Sequence, residues 1–191
     1  MIRKVNYKFV TRVLSLRKWF YKAASTNTNI TGNYHAIQPV LLKGKGKICF
    51  GEKVRLGVVD SPLFFNTYAY LEARTENSRL MVGNHVTVNN QFSAIAEISI
   101  SIGDHVLVGL NCNISDSNFH NLQADKRHQT DPDPRPVVIG KNVFIGNNVT
   151  ILKGVEIGEN SIIAAGSTVT KSFPANVIIG GFPAEIIKEL Y

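Results

Sequence analysis

The chain has 191 residues, 44% of them hydrophobic and 18% charged, which is an ordinary balance for one folded domain. Its two cysteines, Cys49 and Cys112, lack the CxxC spacing of a zinc ribbon and the many pairs of a disulfide framework, so reduced thiols in a cytosol fit best. The formal charge of +7 belongs to the N-terminal end, because no acidic residue precedes Glu52. A basic terminal segment indicates an anionic surface such as a membrane, whereas nucleic-acid binding would favour a basic body.

Residues 1–24 predict a basic amphipathic helix. Apolar side chains recur at steps of three and four, and basic side chains lie away from them; the apolar stripe is Ile2, Val5, Phe9, Val13, Leu16 and Phe20. Charges interrupt the segment too often for a membrane span, and it lacks the apolar core and cleavage site of a signal peptide. Two interpretations stay open: the stripe packs on the domain or a neighbouring subunit, or it lies on a membrane surface.

Residues 25–182 are predicted to form one β-helix domain, because a six-residue period appears from the middle of the chain onward. Aliphatic residues begin successive hexapeptides, most clearly at Ile102, Val108, Ile114, Ile139, Ile145, Ile151, Ile157, Ile163 and Val169. No helix has this period, but short strands separated by bends do, with three hexapeptides closing one triangular coil and each aliphatic stacking on the one above. The pattern predicts an all-β fold, a parallel β-helix.

This pattern resembles the hexapeptide-repeat acyltransferases over about Phe50 to Leu190, and it is most similar to the galactoside and maltose O-acetyltransferases and the O-antigen or capsule acetyltransferases. The resemblance implies a left-handed coil, against the usual preference for right-handed crossovers. It also implies acetyl-CoA as co-substrate, no metal requirement, and a homotrimer with active sites between subunits.

The repeat is interrupted once, at residues 120–138, by a polar and proline-rich segment that has to leave the coil as a loop. His120 begins this loop, and an imidazole has a suitable pKa to accept a proton from a hydroxyl near neutral pH. In the family that the chain resembles, a histidine at the start of this loop is the catalytic base. Asp116, four residues earlier, is expected to hold the imidazole ring.

Further positions match the family in order along the chain. Asn89 matches an asparagine that lies opposite the catalytic histidine, and Glu97 matches a carboxylate that binds sugar hydroxyls. The backbone N–H of Asn147 matches the donor to the thioester oxyanion. Four later positions match residues that hold CoA: Ala165, Thr170, Lys171 and Lys188.

The C-terminal end departs from the family at one position, because Glu185 stands where a basic residue is common. A Gly-Phe-Pro-Ala sequence precedes residues 183–191, which are predicted to form a short helix with Pro183 at its first position.

The sequence therefore predicts an O-acetyltransferase that moves an acetyl group from acetyl-CoA to a sugar or glycan hydroxyl, with His120 as base. A cytoplasmic protein is expected, at the inner membrane face if the helix binds lipid. An antibiotic O-acetyltransferase and a sugar N-acetyltransferase are alternatives, because both would use the same repeat, base and cofactor. A γ-type carbonic anhydrase is a more remote alternative, because three metal histidines are not evident beside the loop. A non-catalytic β-helix module is another.

Overall fold

The structure is a computed structural model that describes residues 2–190, with side chains from Lys8 onward. One helix, α1 (Ile2–Ala24), precedes twenty strands. The strands are β1 (Ile30–Thr31), β2 (Tyr34–Ala36), β3 (Val40–Gly44), β4 (Lys47–Phe50), β5 (Val54–Leu56), β6 (Ala69–Ala73), β7 (Arg79–Val82), β8 (Thr87–Val88), β9 (Ser93–Ala96), β10 (Ser99–Ile102), β11 (Leu107–Val108), β12 (Asn113–Ser115), β13 (Val137–Ile139), β14 (Phe144–Ile145), β15 (Thr150–Ile151), β16 (Glu156–Ile157), β17 (Ile162–Ile163), β18 (Thr168–Val169), β19 (Val177–Gly181) and β20 (Ala184–Glu189).

From β1 to β18 every third strand joins the same sheet, so the chain winds as a left-handed parallel β-helix with three faces. Sheet A contains β1, β4, β7, β10, β13 and β16; sheet B contains β2, β5, β8, β11, β14, β17, β19 and β20; sheet C contains β3, β6, β9, β12, β15 and β18. The edges between them are called the A–B, B–C and C–A edges. The predicted fold class is confirmed.

The repeat places one aliphatic row inside each sheet. In sheet B, for example, Val88, Val108 and Ile145 are register neighbours, and all are buried. Buried apolar area of this kind is the main stabilising contribution, and it exists only because coils stack. At the edges the chain turns through left-handed backbone conformations, many of them at asparagines such as Asn111, Asn142, Asn148 and Asn160.

The predicted helix over residues 183–191 is wrong for the part that the structure describes. β20 runs antiparallel to β19, pairing Gly181 with Ala184 and Ile178 with Lys188, and so it caps the last coil of sheet B. The apolar run Ile186–Ile187 then belongs to an edge strand, and the open hydrogen-bonding groups of β19 explain why an extended conformation wins. Tyr191 lies outside the described residues.

The helix α1 contacts the first coils through a face different from its apolar stripe. Arg17 donates to the carbonyl oxygens of Phe65 and Thr67, and the Tyr21 ring lies 4.6 Å from the Tyr68 ring, centroid to centroid. The predicted stripe points away, with Phe9 68%, Leu16 64% and Phe20 59% exposed. The side chains of Ile2 and Val5 lie outside the described residues. The exposure of Phe9, Leu16 and Phe20 therefore contradicts burial of the stripe on this chain's own domain, whereas packing on a neighbouring subunit and binding to a membrane surface both stay open.

Candidate active site

Two edges of the β-helix carry most of the predicted site residues. Asn89, Asn147 and Ala165 each follow a strand of sheet B and lie on the B–C edge. The others in the coil each follow a strand of sheet C and lie on the C–A edge: Glu97, Asp116, His120, Thr170 and Lys171. Sheet C separates the two groups, so one chain alone does not bring Asn89 and His120 together.

His120 is exposed at the start of the predicted loop, which ends at residue 136 instead of 138 because Val137 and Val138 already belong to β13. Its Nδ1 lies 2.8 Å from the carbonyl oxygen of Arg127, within the same loop. Because a carbonyl oxygen only accepts, Nδ1 has to carry the proton and donate it in this hydrogen bond. The neutral ring then has its lone pair on Nε2, which is the state that a general base requires.

Asp116 does not hold the His120 ring, contrary to the prediction. Its buried carboxylate accepts hydrogen bonds from the backbone N–H groups of Glu97, Ile98 and Ser99, at 2.7, 2.8 and 2.6 Å. Glu97 and Ile98 form the turn between β9 and β10, one coil below, and Ser99 is the first residue of β10. Asp116 is thus a structural acceptor at the C–A edge, and the Arg127 carbonyl takes the ring-holding position instead.

Asp131 and Lys153 fasten the loop to the coil that follows it. The two side chains form an ion pair at 2.8 Å, and Asp131 also accepts from the backbone N–H groups of Asn118 and Asp133, at 2.7 and 3.0 Å. Burial raises the pKa of Asp131, but the hydrogen bonds from Lys153 and the two backbone donors outweigh it and lower the pKa to about 2. Sequence reasoning missed both residues.

A polar network extends from β6 toward His120, and it too was missed. The guanidinium of Arg74 donates to both carboxylate oxygens of Glu72 at 3.2 Å and lies 3.8 Å from Glu97. The Tyr70 hydroxyl donates to Glu72 at 2.9 Å. Burial, followed by this hydrogen bond, raises the pKa of Tyr70 to about 12. The alternation of polar side chains at Tyr70, Glu72 and Arg74 was the available sequence signal for one outward face of a strand.

On the B–C edge, asparagines mainly organise the backbone. Asn89 is half-buried, and its side-chain oxygen accepts from the backbone N–H of Asn90 at 2.7 Å. The exposed side chain of Asn147 accepts from the backbone N–H of Leu110 at 2.8 Å, and Ala165 is exposed one coil further on. A pocket of about 330 Å³ opens beside this edge. It is lined by Asn66, Thr67, Tyr68, Tyr70, Gln91, Phe92, Ser93 and Asn113.

The predicted CoA-binding residues of the last coil are exposed, as a ligand site requires. Lys171 is already paired, because its Nζ lies 2.6 and 2.8 Å from the two carboxylate oxygens of Glu185. Lys188 lies on β20 and pairs with Ile178 in the sheet. Within the described part of the chain, no three side chains of His, Cys, Asp or Glu lie together in a way that would hold a metal ion.

Comparison with known proteins agrees with this geometry. Residues 136–171 match the family model "Bacterial transferase hexapeptide (six repeats)", and residues 99–115 match "Hexapeptide repeat of succinyl-transferase". A protein of Escherichia coli strain K12 named for lipopolysaccharide biosynthesis O-acetyl transfer, WbbJ, is 31% identical over 159 residues, covering 79% of this chain and 76% of that protein. The chain belongs to the hexapeptide-repeat acyltransferase family.

Two further proteins, one compared by sequence and one by structure, are similar to this member of the hexapeptide-repeat acyltransferase family. The galactoside O-acetyltransferase of Escherichia coli strain K12 is 33% identical over 132 residues, or 69% of this chain. The chain spans only 60% of that relative's length. A solved galactoside acetyltransferase in complex with coenzyme A superposes with a TM-score of 0.57 at 28% identity, covering 85% of this chain and 66% of that one.

Proposed function

We propose that the protein is an O-acetyltransferase that moves an acetyl group from acetyl-CoA to a hydroxyl of a sugar or glycan intermediate. The observation that carries the proposal is the His120–Arg127 hydrogen bond, because it leaves Nε2 as a free base at the mouth of the loop. The names of two relatives, a galactoside O-acetyltransferase and a lipopolysaccharide O-acetyl transferase, support a sugar hydroxyl as acceptor.

The proposed reaction needs no covalent intermediate on the enzyme. Nε2 of His120 accepts the proton of the acceptor hydroxyl while the hydroxyl oxygen attacks the thioester carbonyl carbon and forms the new C–O bond. The backbone N–H of Asn147 donates to the resulting oxyanion. The C–S bond then breaks, and the CoA thiolate takes the proton from His120, which leaves CoA thiol and an O-acetyl ester. A positioned general base contributes about 10²- to 10⁴-fold to such a step.

A homotrimer is proposed, and the positions of these groups support it. His120 and Asn147 lie on opposite edges of sheet C, so a second copy has to supply one of them. If the B–C edge of each copy meets the C–A edge of the next, three copies close a ring with the C sheets toward the axis. Leu107 and Phe144, register neighbours on sheet B, are about half exposed and are proposed to contact the next copy.

The same arrangement accounts for the CoA-binding residues. Ala165 lies on the B–C edge with Asn147, whereas Thr170 and Lys171 lie on the C–A edge. An acetyl-CoA molecule in the proposed groove between two copies therefore meets small residues of one copy and basic residues of its partner, with Lys188 near the end of the coil. Glu97 lies on the His120 edge and is proposed to bind acceptor hydroxyls there.

Peripheral contact with the inner face of a membrane is proposed for α1. Among residues 2–190, no helix combines the length and the apolar character needed to cross a bilayer. The exposed stripe residues Phe9, Val13, Leu16 and Phe20 instead suit the headgroup region, where Trp19, also exposed, is favoured. Lys8, Arg12 and Lys22 are exposed, and the absence of acidic residues before Glu52 favours anionic lipid.

The test is thiol release from acetyl-CoA against simple sugars, nucleotide sugars, amino sugars, glycolipid intermediates and hydroxylated antibiotics. His120→Asn is compared with His105→Asn, which changes an exposed histidine on the A–B edge that already has a left-handed backbone. Acceptor-dependent release that His120→Asn alone abolishes is the expected result. Equal release in the three proteins would remove His120 from the mechanism, and no release by the wild type with any acceptor would overturn the proposal.

A further inference from the structure

The residue before His120 has an unusual backbone. Phe119 adopts a φ of 62°, in the left-handed region that bulky residues avoid. This conformation turns the chain out of the coil, and it thereby determines the position of His120. The backbone N–H of Phe119 donates to the hydroxyl of Ser117 at 2.9 Å, and the Phe119 side chain is half-buried. A strained turn of this kind persists only when surrounding contacts hold it.

The contact that holds the Phe119 ring is the guanidinium of Arg74, whose central carbon lies 4.3 Å from the ring centroid. Planar guanidinium groups stack on aromatic faces, and a lysine in the same place lacks the planar surface. Arg74 directly follows β6, two coils below the loop, so this contact joins the stacked coils to the turn before His120.

Two carboxylates hold Arg74 in that position. Glu72 accepts from Nε and Nη2, and Glu97 lies near Nη1. The Glu72 and Glu97 side chains are only 13% and 15% exposed, which weakens their screening by water. Because three of its nitrogen atoms already face carboxylates, Arg74 is poorly placed to bind an anionic substrate as well.

We infer that Arg74 is a positioning residue for His120, acting through the Phe119 ring, with Glu72 and Glu97 holding its guanidinium. This inference rests on the proposed function, in which His120 is the base. Loss of the stack lets Phe119 leave its left-handed conformation, and His120 then loses its place at the mouth of the loop. Small displacements of a catalytic group lower the rate strongly because reaction needs close alignment.

The experiment compares Arg74→Lys, Arg74→Ala, Phe119→Tyr and Phe119→Gly, with Arg79→Ala as control for loss of an exposed arginine on sheet A. Glycine tolerates a positive φ, so Phe119→Gly removes the ring without straining the turn. Both Arg74 variants and Phe119→Gly are expected to lower kcat by on the order of 10- to 100-fold, with little change in KM for acetyl-CoA. Phe119→Tyr and Arg79→Ala are expected to keep wild-type kcat.

A second measurement does not depend on turnover. Nitrogen NMR of the labelled His120 ring reports the fraction of the Nδ1–H tautomer, which is expected to fall in Arg74→Ala and Phe119→Gly but not in Arg79→Ala. An unchanged kcat and an unchanged ring signal in Arg74→Ala would overturn the inference. If the wild type releases no thiol while the Arg74→Ala ring signal changes, the proposed reaction fails and the positioning contact stands. If the wild type releases no thiol and the ring signal of Arg74→Ala is also unchanged, both the proposed reaction and the positioning role of Arg74 are wrong.

Discussion

Asp131 and Lys153 form an ion pair that is nearly closed to solvent, with 3% and 15% of their side chains exposed and 2.8 Å between Oδ2 and Nζ. The pair joins the loop over residues 120–136 to the coil that follows it. Removing one partner of such a pair leaves the other charge buried and unpaired, and this destabilises the folded state.

The first prediction concerns acid stability of this loop. The pKa of Asp131 is lowered to about 2 in the folded protein, against about 3.9 in an unfolded chain, so its ionisation stabilises the fold above pH 4 and this contribution is lost as the pH falls toward 2. Lys153→Met should cost about 2 kcal/mol at pH 7 and much less at pH 2. Limited proteolysis of the loop and urea unfolding at both pH values measure this. A cost independent of pH would contradict it.

The second prediction separates Asp116 from the chemistry. Asp116→Asn replaces an acceptor of three backbone N–H groups with an amide that has one acceptor oxygen, so we expect a loss of about 2–4 kcal/mol in unfolding free energy. The pH profile of kcat should keep its wild-type midpoint. Asp125→Asn, in the exposed part of the loop, is the control. A shifted midpoint in Asp116→Asn would restore Asp116 as a partner of His120.

The third prediction tests the trimer. Leu107→Glu combined with Phe144→Glu places charge in the exposed apolar pair of sheet B and should shift the mass in light scattering from three chains toward one. Lys141→Glu changes an exposed side chain on the A–B edge, which the proposed ring leaves outward, and should leave the mass unchanged. Monomeric wild type, or a trimer that the double variant does not weaken, is incompatible with the proposed contact.

The fourth prediction concerns the stripe of α1. The wild type should cosediment with vesicles of phosphatidylglycerol and phosphatidylcholine but not with phosphatidylcholine alone, and salt should weaken binding. Leu16→Ser with Phe20→Ser should weaken it at least about tenfold, since each large apolar side chain contributes roughly 1.5–3 kcal/mol when buried. Met81→Ser, on sheet A, serves as control. If the double variant changes the mass and not vesicle binding, the stripe contacts a second copy instead.

The fifth prediction concerns Lys171. Because Glu185 occupies its ammonium group, Glu185→Gln should free Lys171 for a phosphate of CoA and lower KM for acetyl-CoA by about two- to fivefold, the scale of one exposed ion pair. Glu189→Gln removes another exposed carboxylate of β20 and should have less effect. An unchanged or higher KM in Glu185→Gln would argue against Lys171 as a phosphate ligand.

The repeat made the body of the fold predictable. Ile145, Ile151 and Ile163 keep a six-residue phase, and this phase alone places them inside the coils. The same phase located the loop, because the aliphatic series stops at Ile114 and resumes at Ile139. The last strand escaped prediction because Pro183 and the residues after it suit a helix start equally well. The unpaired edge of β19 decides their conformation, and this edge is a property of the assembled sheet.

Contacts across coils could not be predicted from local sequence. Asp116 is four residues from His120, but its oxygens face Glu97, Ile98 and Ser99, seventeen to nineteen residues away. The Arg127 carbonyl is a backbone group with no sequence signature. The orientation of α1 depends on Arg17 and Tyr21 meeting residues of a loop some fifty residues later, while its apolar stripe, the stronger sequence signal, stays outside.

The loop over residues 120–136 leaves the coil and returns without disturbing the pairing of the strands on either side. β10 and β13 remain paired in register across the excursion, with Ile100 opposite Val137 and Ile102 opposite Ile139. The pairing of β10 with β13 therefore does not depend on the length of this loop, and doubling that length would cost only about 0.6 kcal/mol in closure entropy. A loop of another length or sequence can therefore serve a different acceptor on the same stacked coils, provided that it keeps His120 and an acidic partner for Lys153.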